Sequence, residues 1–583
     1  MQVAASAFPG MGAGMATAYA NANGGALPGY DLHTLGGQRW RQRQQAVYEV
    51  VAGQPTWGCL YKMAVENAAD LATRAIMRAI KTHGRTGCAA ALARLRAHLA
   101  CELPASLLKE VLNVCVARDR FRCHHNPTDC LALEIWRVFY SDKHADVNIV
   151  HHEFAFPKTC NYPEILSNVD HVLRLMSESG ENTTTTSFKI ELKQCETGFY
   201  LEDMVVGCVR QFTQLRVLEL PGLASDKLLN VIALYCTKLE VLNLPGCRDL
   251  VSDPGFARFV ETARCRPLLR KLDVSRCALS QQSLVPLQRM EALKELKVST
   301  TLLDDINWNC DGLAVLLQSE TGETLGLDCL ALPSVDTVTV ENDSYVQVSI
   351  NKVITYLRHV FPNALNVQLV NCIACELHVT LTQHPTNITY MRECIQTLEL
   401  ISADYFNFPR LVYPCPNLES LCIEKPTNDV FNIDQQNVPF LYGNTVPFIN
   451  LKHLKLSRIS LTNLTHFLSK SRNLRKFKVT NIGRRERPRW TDQRIQQILP
   501  ADSVPFLEDF HVSCLPNEGF STSDTHRYLH LTKQTVQYLT ENFPRLKSVA
   551  GIESWSPRDC NKETLGAMLN SCRAGKSFSV TSI

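Results

Sequence analysis

The stretch LEVLNLPGCRDLVSDPGF, residues 239–256, carries the pattern that decides the fold. Leu242 and Leu244 are separated by one polar residue, Asn243, and Leu239 lies three residues before Leu242. Alternation with a period of two predicts a short strand that buries its leucines in a core and exposes the residues between them. The same pattern returns along the chain, so this strand is one copy of a repeat.

Segments of the form L-x-x-L-x-L recur from about residue 215 onward, which is the signature of an internally repeated structure. The first block begins at Leu215, Leu239, Leu269 and Leu293, with intervals of 24, 30 and 24 residues. The second block begins at Ile395, Leu418, Leu451 and Leu474, with intervals of 23, 33 and 23 residues, and continues at Leu507 and Leu546. Degenerate copies lie near Phe188 and Leu365, whereas Thr301 to Tyr356 carries no clean repeat.

Helical patterns separate most of these strands. In SDKLLNVIALYCTKL, residues Leu228, Leu229 and Ile232 recur at helical spacing, and Ser225 or Asp226 is placed to cap the helix. One strand–helix unit cannot bury its own apolar face, so neighbouring units must stack into a solenoid. The sequence therefore predicts an α/β solenoid with parallel strands on its concave face and helices outside.

The quoted stretch also resembles a known family. Its residues Leu239, Leu242, Leu244, Cys247, Leu250, Asp253, Gly255 and Phe256 match the cysteine-containing leucine-rich repeat, and LRKLDVSRCALS repeats the strand with Cys277. The resemblance implies a leucine-rich repeat horseshoe over roughly residue 188 to the C-terminus. The repeat pattern is similar to that of F-box and Zyg-type (elongin-binding) substrate receptors of ubiquitin ligases, and this resemblance implies a protein-binding function.

Composition narrows the class of protein. The 583 residues include 60 Lys plus Arg and 57 Asp plus Glu, a formal net charge of +3 that gives no reason to expect general binding to nucleic acid or membranes. The 23 cysteines are scattered through apolar segments, which favours small buried side chains in a reducing compartment. With no signal-peptide pattern and no apolar run of about 18 residues, we expect a cytoplasmic protein, with the nucleus as the alternative.

Three regions are expected: an Ala/Gly-rich tail over 1–35, a helical module over 36–180 and the repeat solenoid over 181–583. The helical module resembles the elongin-binding box L-x-x-x-C/A-x-x-x-A, followed by a cullin-type box. Leu60, Ala64 and Ala68 match the first box, with alanine in place of its usual cysteine, and Leu103, Pro104, Leu107 and Leu108 match the second.

The F-box is the other reading of this module. It opens with L-P-x-x-L-L-x-x-I/V-L, which residues 103–112 match, and Trp136 lies near the expected distance. A plain helical cap over the exposed end of the solenoid is the third reading. The resemblance thus implies docking of an elongin or Skp-type adaptor with a cullin, and a cap would imply neither.

Catalytic signatures are missing from the sequence: it has no phosphate-binding loop, no Gly-rich dinucleotide fingerprint, no H-E-x-x-H and no G-x-S-x-G. We expect a non-enzymatic chain without a cofactor. A cluster of Cys and His residues has six residues between its two cysteines, wider than a zinc site prefers. We therefore predict an ordinary polar loop, not a metal site, for Cys123, His124, His125 and Cys130, with His144, His151 and His152 beyond.

Two sets of residues are predicted to contact a partner. The first is the basic stretch GRRERPRW, residues 483–490, placed on an inserted loop, with Trp490 as a stacking anchor beside Arg484, Arg485, Arg487 and Arg489; a solvated charge run is the alternative. The second follows from strand alternation, which turns outward Arg216, Glu219, Glu240, Asn243, Lys271, Asp273, Lys294 and Lys297.

The expected function combines these elements. We expect the substrate-recognition subunit of a cullin-type ubiquitin ligase, monomeric within its complex, which holds a protein substrate on the repeat surface. The rate would then be raised by effective concentration, without side-chain chemistry in this chain. The alternative is a repeat scaffold with no link to ubiquitin.

Overall fold

A computed structural model describes the following residues of the chain. They are 57–102, 107–115, 131–140, 146–150, 169–177 without 171 and 175, 184–191, 198–300 without 248, 249 and 278, 317–318, 324–325, 331–342, 353, 357–358, 360–371, 394–401, 417–424, 449–457, 464, 468, 471–482, 487–514, 528–555 and 579–581. The chain divides into two compact units, Met1–Lys193 with Asp203–Leu215, and Gln194–Glu202 with Arg216–Ile583.

The first unit is mainly helical in its described part, and it contains the boundary predicted at residue 180. Its elements are α1 (Trp57–Gly87), α2 (Ala89–Glu102), a helical segment over 107–115, α3 (Ala132–Phe139), and the parallel strands β1 (Asp146–Val150) and β2 (Ser187–Glu191). Gly84, with φ of 69°, kinks α1 near its end. The thiol of Cys115 donates to the Ala69 carbonyl at 3.6 Å, which joins the 107–115 segment to α1.

The second unit carries the repeats. The helix α4 (Gly198–Gln211) gives residues 198–202 to this unit and 203–211 to the first. The strands are β3 (Val217–Glu219), β4 (Val241–Asn243), β5 (Lys271–Asp273), β6 (Glu295–Ser299), β9 (Thr337–Glu341), β10 (Asn366–Val370), β11 (Thr397–Ile401), β12 (Ser420–Glu424), β13 (His453–Ser457), β14 (Lys476–Ile482), β15 (Asp509–Cys514), β16 (Ser548–Ala550) and β17 (Ser579–Thr581), and each pairs in parallel with the next in this order.

Helices connect these strands, and one small hairpin stands apart. The helices are α5 (Asp226–Tyr235), α6 (Asp253–Thr262), α7 (Leu284–Leu287), α8 (Asp492–Ile498) and α9 (Lys533–Asn542). The strands β7 (Leu317–Gln318) and β8 (Thr324–Leu325) form a separate antiparallel pair.

A ladder of leucines holds neighbouring strands in register. Leu218, Leu242, Leu272 and Leu296 are register partners on successive strands, and each is at most 2% exposed. Fully burying one such side chain stabilises the fold by about 1.5–3 kcal/mol, but only when the next strand covers it. The predicted α/β leucine-rich repeat solenoid is confirmed.

Residues 301–356, which carry no clean leucine repeat, contain a degenerate repeat unit. The strand β9 lies in this segment and pairs in parallel with β6 and β10. Its repeat begins at Val335 and has valines at Val338 and Val340, all fully buried, where the other repeats have leucines. The pattern is therefore V-x-x-V-x-V, which a search for leucine misses.

Carboxylates tie the starts of α5 and α6 to the repeat that follows each of them. Ser225 caps α5 by accepting from the Leu228 amide, while the neighbouring Asp226 accepts from the Ser252 amide at 2.9 Å and from its hydroxyl at 2.6 Å. Ser252 in turn caps α6, and Asp253 accepts from the Ser280 amide at 3.0 Å. We call the contact from the aspartate at the start of one helix to serine donors of the following repeat the aspartate bridge. Of the two capping residues that the sequence allowed, serine is the cap and aspartate is the bridge.

The aspartate bridge explains one glycine of the repeat pattern. A Cβ on Gly255 would lie 2.0 Å from the Asp226 carboxylate carbon. Because that carboxylate is fixed by two hydrogen bonds to Ser252, it cannot move aside without losing them. Glycine at this position therefore makes room for the bridge of the preceding repeat.

The bridge recurs near the C-terminus and can be tested there. Asp492 accepts from the Thr532 amide at 2.9 Å, from the Thr532 hydroxyl at 2.7 Å and from the Thr535 hydroxyl. Asp492→Ala should lower the free energy of unfolding by about 1–3 kcal/mol, because buried donors lose their acceptor. Urea unfolding followed by the fluorescence of the buried Trp490 and Trp555 measures it.

The matched control is Asp502→Ala at an exposed aspartate ten residues along the chain. It should change the same free energy by no more than about 0.5 kcal/mol. Equal losses in the two variants would contradict a specific role for the bridge.

Candidate functional site: the polar face of the repeat sheet

The strands of the second unit present one face of alternating polar residues, which we call the polar face. On β3 and β4 the burial alternates, with Leu218 and Leu242 inside and their neighbours partly exposed. All eight residues that alternation turned outward are exposed or half-buried: Arg216, Glu219, Glu240, Asn243, Lys271, Asp273, Lys294 and Lys297. Their exposure agrees with the predicted outward orientation. Three of them, Arg216, Glu240 and Lys294, lie one residue before β3, β4 and β6, so the other five carry the polar face itself.

Over β5, β6 and β9 the polar face is electrically balanced. Lys271 lies 2.9 Å from Glu295, its register partner. Lys297 lies between two carboxylates, 3.6 Å from Asp273 on one side and 3.4 Å from Glu341 on the other. The two strand lysines, Lys271 and Lys297, are thus each compensated by a carboxylate on a neighbouring strand.

The buried carboxylate of Glu341 completes this balance. It is 5% exposed and accepts from the guanidinium of Arg276, whose Nε lies 2.9 Å from Oε1. Arg276 follows β5 with φ of 57°, a left-handed conformation that non-glycine residues rarely adopt. The Arg276 backbone N–H is bonded to the Ser299 hydroxyl, which holds the residue in that conformation.

Over β13, β14 and β15 the balance is lost. The parallel register places Lys455, Lys478 and His511 side by side, and Lys476 lies on the same face of β14 two residues before Lys478. We call Lys455, Lys476, Lys478 and His511 the basic strip. Lys455 is ion-paired with Glu424, and Lys476 lies 3.9 Å from Asp509. Within the part of the chain that the structure describes, Lys478 has no carboxylate partner.

The pKa values of two histidines in this region are lowered, by burial and by the charges of nearby lysines. Burial, together with the charge of Lys478, lowers the pKa of His511 to about 4. The pKa of His453 is also lowered, by burial and then by the charges of Lys476 and Lys452. Both rings are therefore neutral at pH 7, and the charge of the strip comes from its lysines.

Two buried thiols of the described repeats, those of Cys265 and Cys422, are not poised for nucleophilic chemistry. Burial raises the pKa of Cys265 to about 11 and that of Cys422, on β12, to about 12. Cys277, also buried, donates its S–H to the Leu244 carbonyl at 3.2 Å. A thiol must ionise to act as a nucleophile, so these cysteines behave as core residues.

The residues of the predicted adaptor site differ in how far they are exposed. Ala64 is exposed on α1, Ala68 is half-buried, and Leu71 is exposed on the same helical face as Ala64. Leu107 and Leu108, in contrast, are 6% and 4% exposed and belong to the interior of the first unit. Leu60 lies in α1, with its side chain outside the described residues, and Leu103 and Pro104 lie outside them altogether.

The predicted basic loop near residue 490 needs correction. Trp490 is fully buried and therefore cannot serve as a stacking anchor, and Arg487 is only 5% exposed. Both lie where the chain turns into α8, whose cap is Thr491, so the long interval before β15 holds the helix of a repeat. Arg489 is exposed, whereas Arg484 and Arg485 lie outside the described residues.

Other site classes find no support in the described ranges. No group of three or more His, Cys, Asp or Glu residues within them is placed to hold a metal ion. The cluster Cys123, His124, His125 and Cys130, and the distal His144, His151 and His152, lie outside those ranges. None of the helices placed here is both long enough and apolar enough to span a membrane.

Comparison with known proteins places the chain beside repeat proteins of distant sequence. The structure of Rad7 in its complex with Elc1 from yeast is 14% identical, with a TM-score of 0.29 over 68% of this chain and 92% of that one. An internalin (InlF) of Listeria monocytogenes is 10% identical, with a TM-score of 0.29 over 71% and 82%. The structure of the TLR13–ssRNA13 complex is 13% identical, with a TM-score of 0.28 over 66% and 56%.

At these identities and TM-scores the likenesses carry no functional argument. No protein-family model matches the sequence, and no curated protein matches it. Function must therefore be argued from the side chains of this chain.

The pKa of His511 tests the geometry of the basic strip. Lys478→Met should raise this pKa from about 4 toward its ordinary value of 6.5, without reaching it, because burial is the larger cause. Lys476→Met is the control: its charge acts on His453, so it should raise the pKa of His453 and leave His511 unchanged. Nuclear magnetic resonance of ¹³C-labelled histidine rings over pH 3.5–8 would measure both titrations.

The same shift makes stability depend on pH. Since the folded-state pKa of His511 lies below 6.5, the unfolded chain takes up the proton first. The contribution of neutral His511 to stability is complete above pH 6.5 and is lost as the pH falls toward 4.

An unchanged His511 pKa in Lys478→Met would contradict the side-by-side placement of the two residues.

Proposed function

We propose that this chain is a non-catalytic substrate-recognition subunit of a cullin-type ubiquitin ligase. In this proposal the first unit docks the adaptor through α1, and the polar face of the repeat sheet holds a protein substrate. The substrate is brought near a ubiquitin-loaded enzyme, and the gain in rate comes from effective concentration. The observation that carries the proposal is the exposed stripe on α1 formed by Ala64 and Leu71.

The stripe supports the elongin-type adaptor over the Skp-type adaptor. The elongin-box match runs along α1, where Ala64 is exposed and Leu71 is 61% exposed. An exposed leucine beside a small residue allows close approach of a partner helix. The F-box match spans residues 103–112, and its Leu107 and Leu108 are already buried in the first unit, so they cannot also bind an adaptor without leaving it. The cullin-type box shares these two leucines, so the exposed match is the elongin box on α1.

The polar face supports a protein partner on the repeats. Its paired charges supply many donors and acceptors of both signs at fixed positions, which suits recognition of a complementary protein surface. Lys271, Glu295, Asp273 and Lys297 are held on neighbouring strands whose register the buried leucines fix. Preorganised side chains lose little entropy when they bind.

A scaffold with no ubiquitin link is the second candidate. It is favoured by the burial of Leu107 and Leu108, which is what a helical capping module requires. A cap contributes to stability but selects no adaptor, so the two candidates predict different behaviour for surface variants of α1.

The experiment is affinity purification from cells with mass spectrometry of the bound proteins. Elongins and a cullin should co-purify with the wild-type chain and be lost from the double variant Ala64→Asp, Leu71→Asp. Because both residues are exposed, the variant should keep its urea unfolding midpoint. The control is Ala90→Asp, the same change at an exposed position of α2, which should retain the adaptor.

Each other outcome is decisive. Recovery of a Skp-type adaptor would replace the elongin assignment while keeping the ligase function. Recovery of neither adaptor with folded wild-type protein would refute the ligase proposal and favour the scaffold. Adaptor retained by the double variant would show that α1 is not the docking surface.

A further inference from the structure

We propose that the basic strip over β13–β15 binds an acidic segment of a protein partner, with a carboxylate of that segment ion-paired to Lys478. This inference deepens the proposed function by naming the chemistry of the substrate, and the strip's binding can be measured whether or not an adaptor docks. It begins from a contrast between two parts of the polar face.

In the balanced part, the strand lysines Lys271 and Lys297 each have a carboxylate on an adjacent strand. Lys297 is the clearest case, because Asp273 and Glu341 flank it from both sides. Lys478 occupies the equivalent position on β14, in the middle of its strand and half-buried. Its register partners are Lys455 and His511, a cation and a neutral ring, so the described strands supply it with no anion.

Neighbouring carboxylates are already engaged. Glu424 is ion-paired with Lys455. Burial lowers the pKa of Lys455, but the hydrogen bond and charge of Glu424, together with the charges of Cys422 and Glu399, outweigh burial and raise it. Asp509 lies 3.9 Å from Lys476 and accepts from the Ser548 hydroxyl at 2.6 Å. Among the residues that the structure describes, the positive charge of Lys478 is therefore left available to a ligand.

The surroundings of Lys478 favour a short carboxylate side chain. Adjacent strands in a sheet lie about 4.8 Å apart, so the lysines of β13 and β14 project close together and reinforce one another at a single point. At distances of this order, partial burial makes a charge pair stronger than it is in bulk water. The Lys478 ammonium is thus a built-in contact for one Asp or Glu of an extended peptide.

A nucleic acid fits the strip less well. A phosphodiester backbone presents a charge at every nucleotide and is bound by several unpaired cations in a row. Beside Lys478 the strip offers Glu424 and Asp509, and Glu508 lies one residue before Asp509; these carboxylates would repel such a backbone. Single isolated acidic side chains on a peptide avoid this repulsion.

The probe is a fluorescein-labelled peptide with four Glu residues, each separated from the next by Gly and Ser, and the matched peptide has Gln in place of every Glu. Fluorescence anisotropy with the full chain at 50 mM salt should show binding of the Glu peptide only. Lys478→Gln should weaken this binding about tenfold, the effect of losing a charge-assisted contact worth about 1.4 kcal/mol.

Two control lysines and one gain-of-function variant sharpen the test. Lys271→Gln, in the balanced part of the face, should leave the affinity unchanged, and Lys476→Gln should weaken it less than Lys478→Gln does. Glu424→Gln releases Lys455 from its ion pair, so it should tighten binding severalfold. A gain of affinity cannot arise from misfolding.

Three results would overturn the proposal. They are equal binding of the Glu and Gln peptides, equal affinities in wild type and Lys478→Gln, and displacement of the Glu peptide by a twelve-nucleotide oligo-uridine at a lower concentration than by unlabelled peptide. Adaptor recovery in Lys478→Gln should match wild type. A variant that loses peptide binding but keeps the adaptor tests the basic strip alone. A variant that loses only the adaptor tests the ligase proposal alone.

Discussion

The second unit depends on one constraint: a repeat cannot bury its own leucines. Leu242 is fully buried only because Leu218 and Leu272 lie in register on either side of it. Each strand therefore stabilises its neighbours, and the order of the parallel strands follows the order of the chain. The aspartate bridges extend the coupling to the helices, since Asp226 satisfies donors of Ser252 in the next repeat.

This division of labour leaves the polar face free to diverge. Leucine and valine are required inside, while the outward positions carry no packing duty and can hold any charge the partner demands. The face is balanced around Lys297 and Glu341 and becomes basic around Lys478. Fold and specificity are thus encoded in alternate residues of the same strands, which is why the fold alone does not name the function.

Much of the architecture could be predicted from periodicity, because burial of alternate residues is a local property. The outward orientation of Lys271 and Asp273 follows from counting residues along a strand. A search for leucine does not find β9, because valines occupy its buried positions. The arginines beside Trp490 in the sequence do not reveal that this tryptophan is buried next to the start of α8. The bridge from Asp492 to Thr532 joins residues 40 positions apart, a pairing that only stacking defines.

In the proposed function, adaptor and substrate bind separate surfaces of this chain. Photo-crosslinking can distinguish the two surfaces, with benzoylphenylalanine placed at Leu71 on α1 or at Thr480, which is half-buried two residues after Lys478. We expect position 71 to crosslink to the adaptor and position 480 to a different, acidic protein. The same protein crosslinked from both positions, or an adaptor crosslinked from position 480 alone, would contradict it.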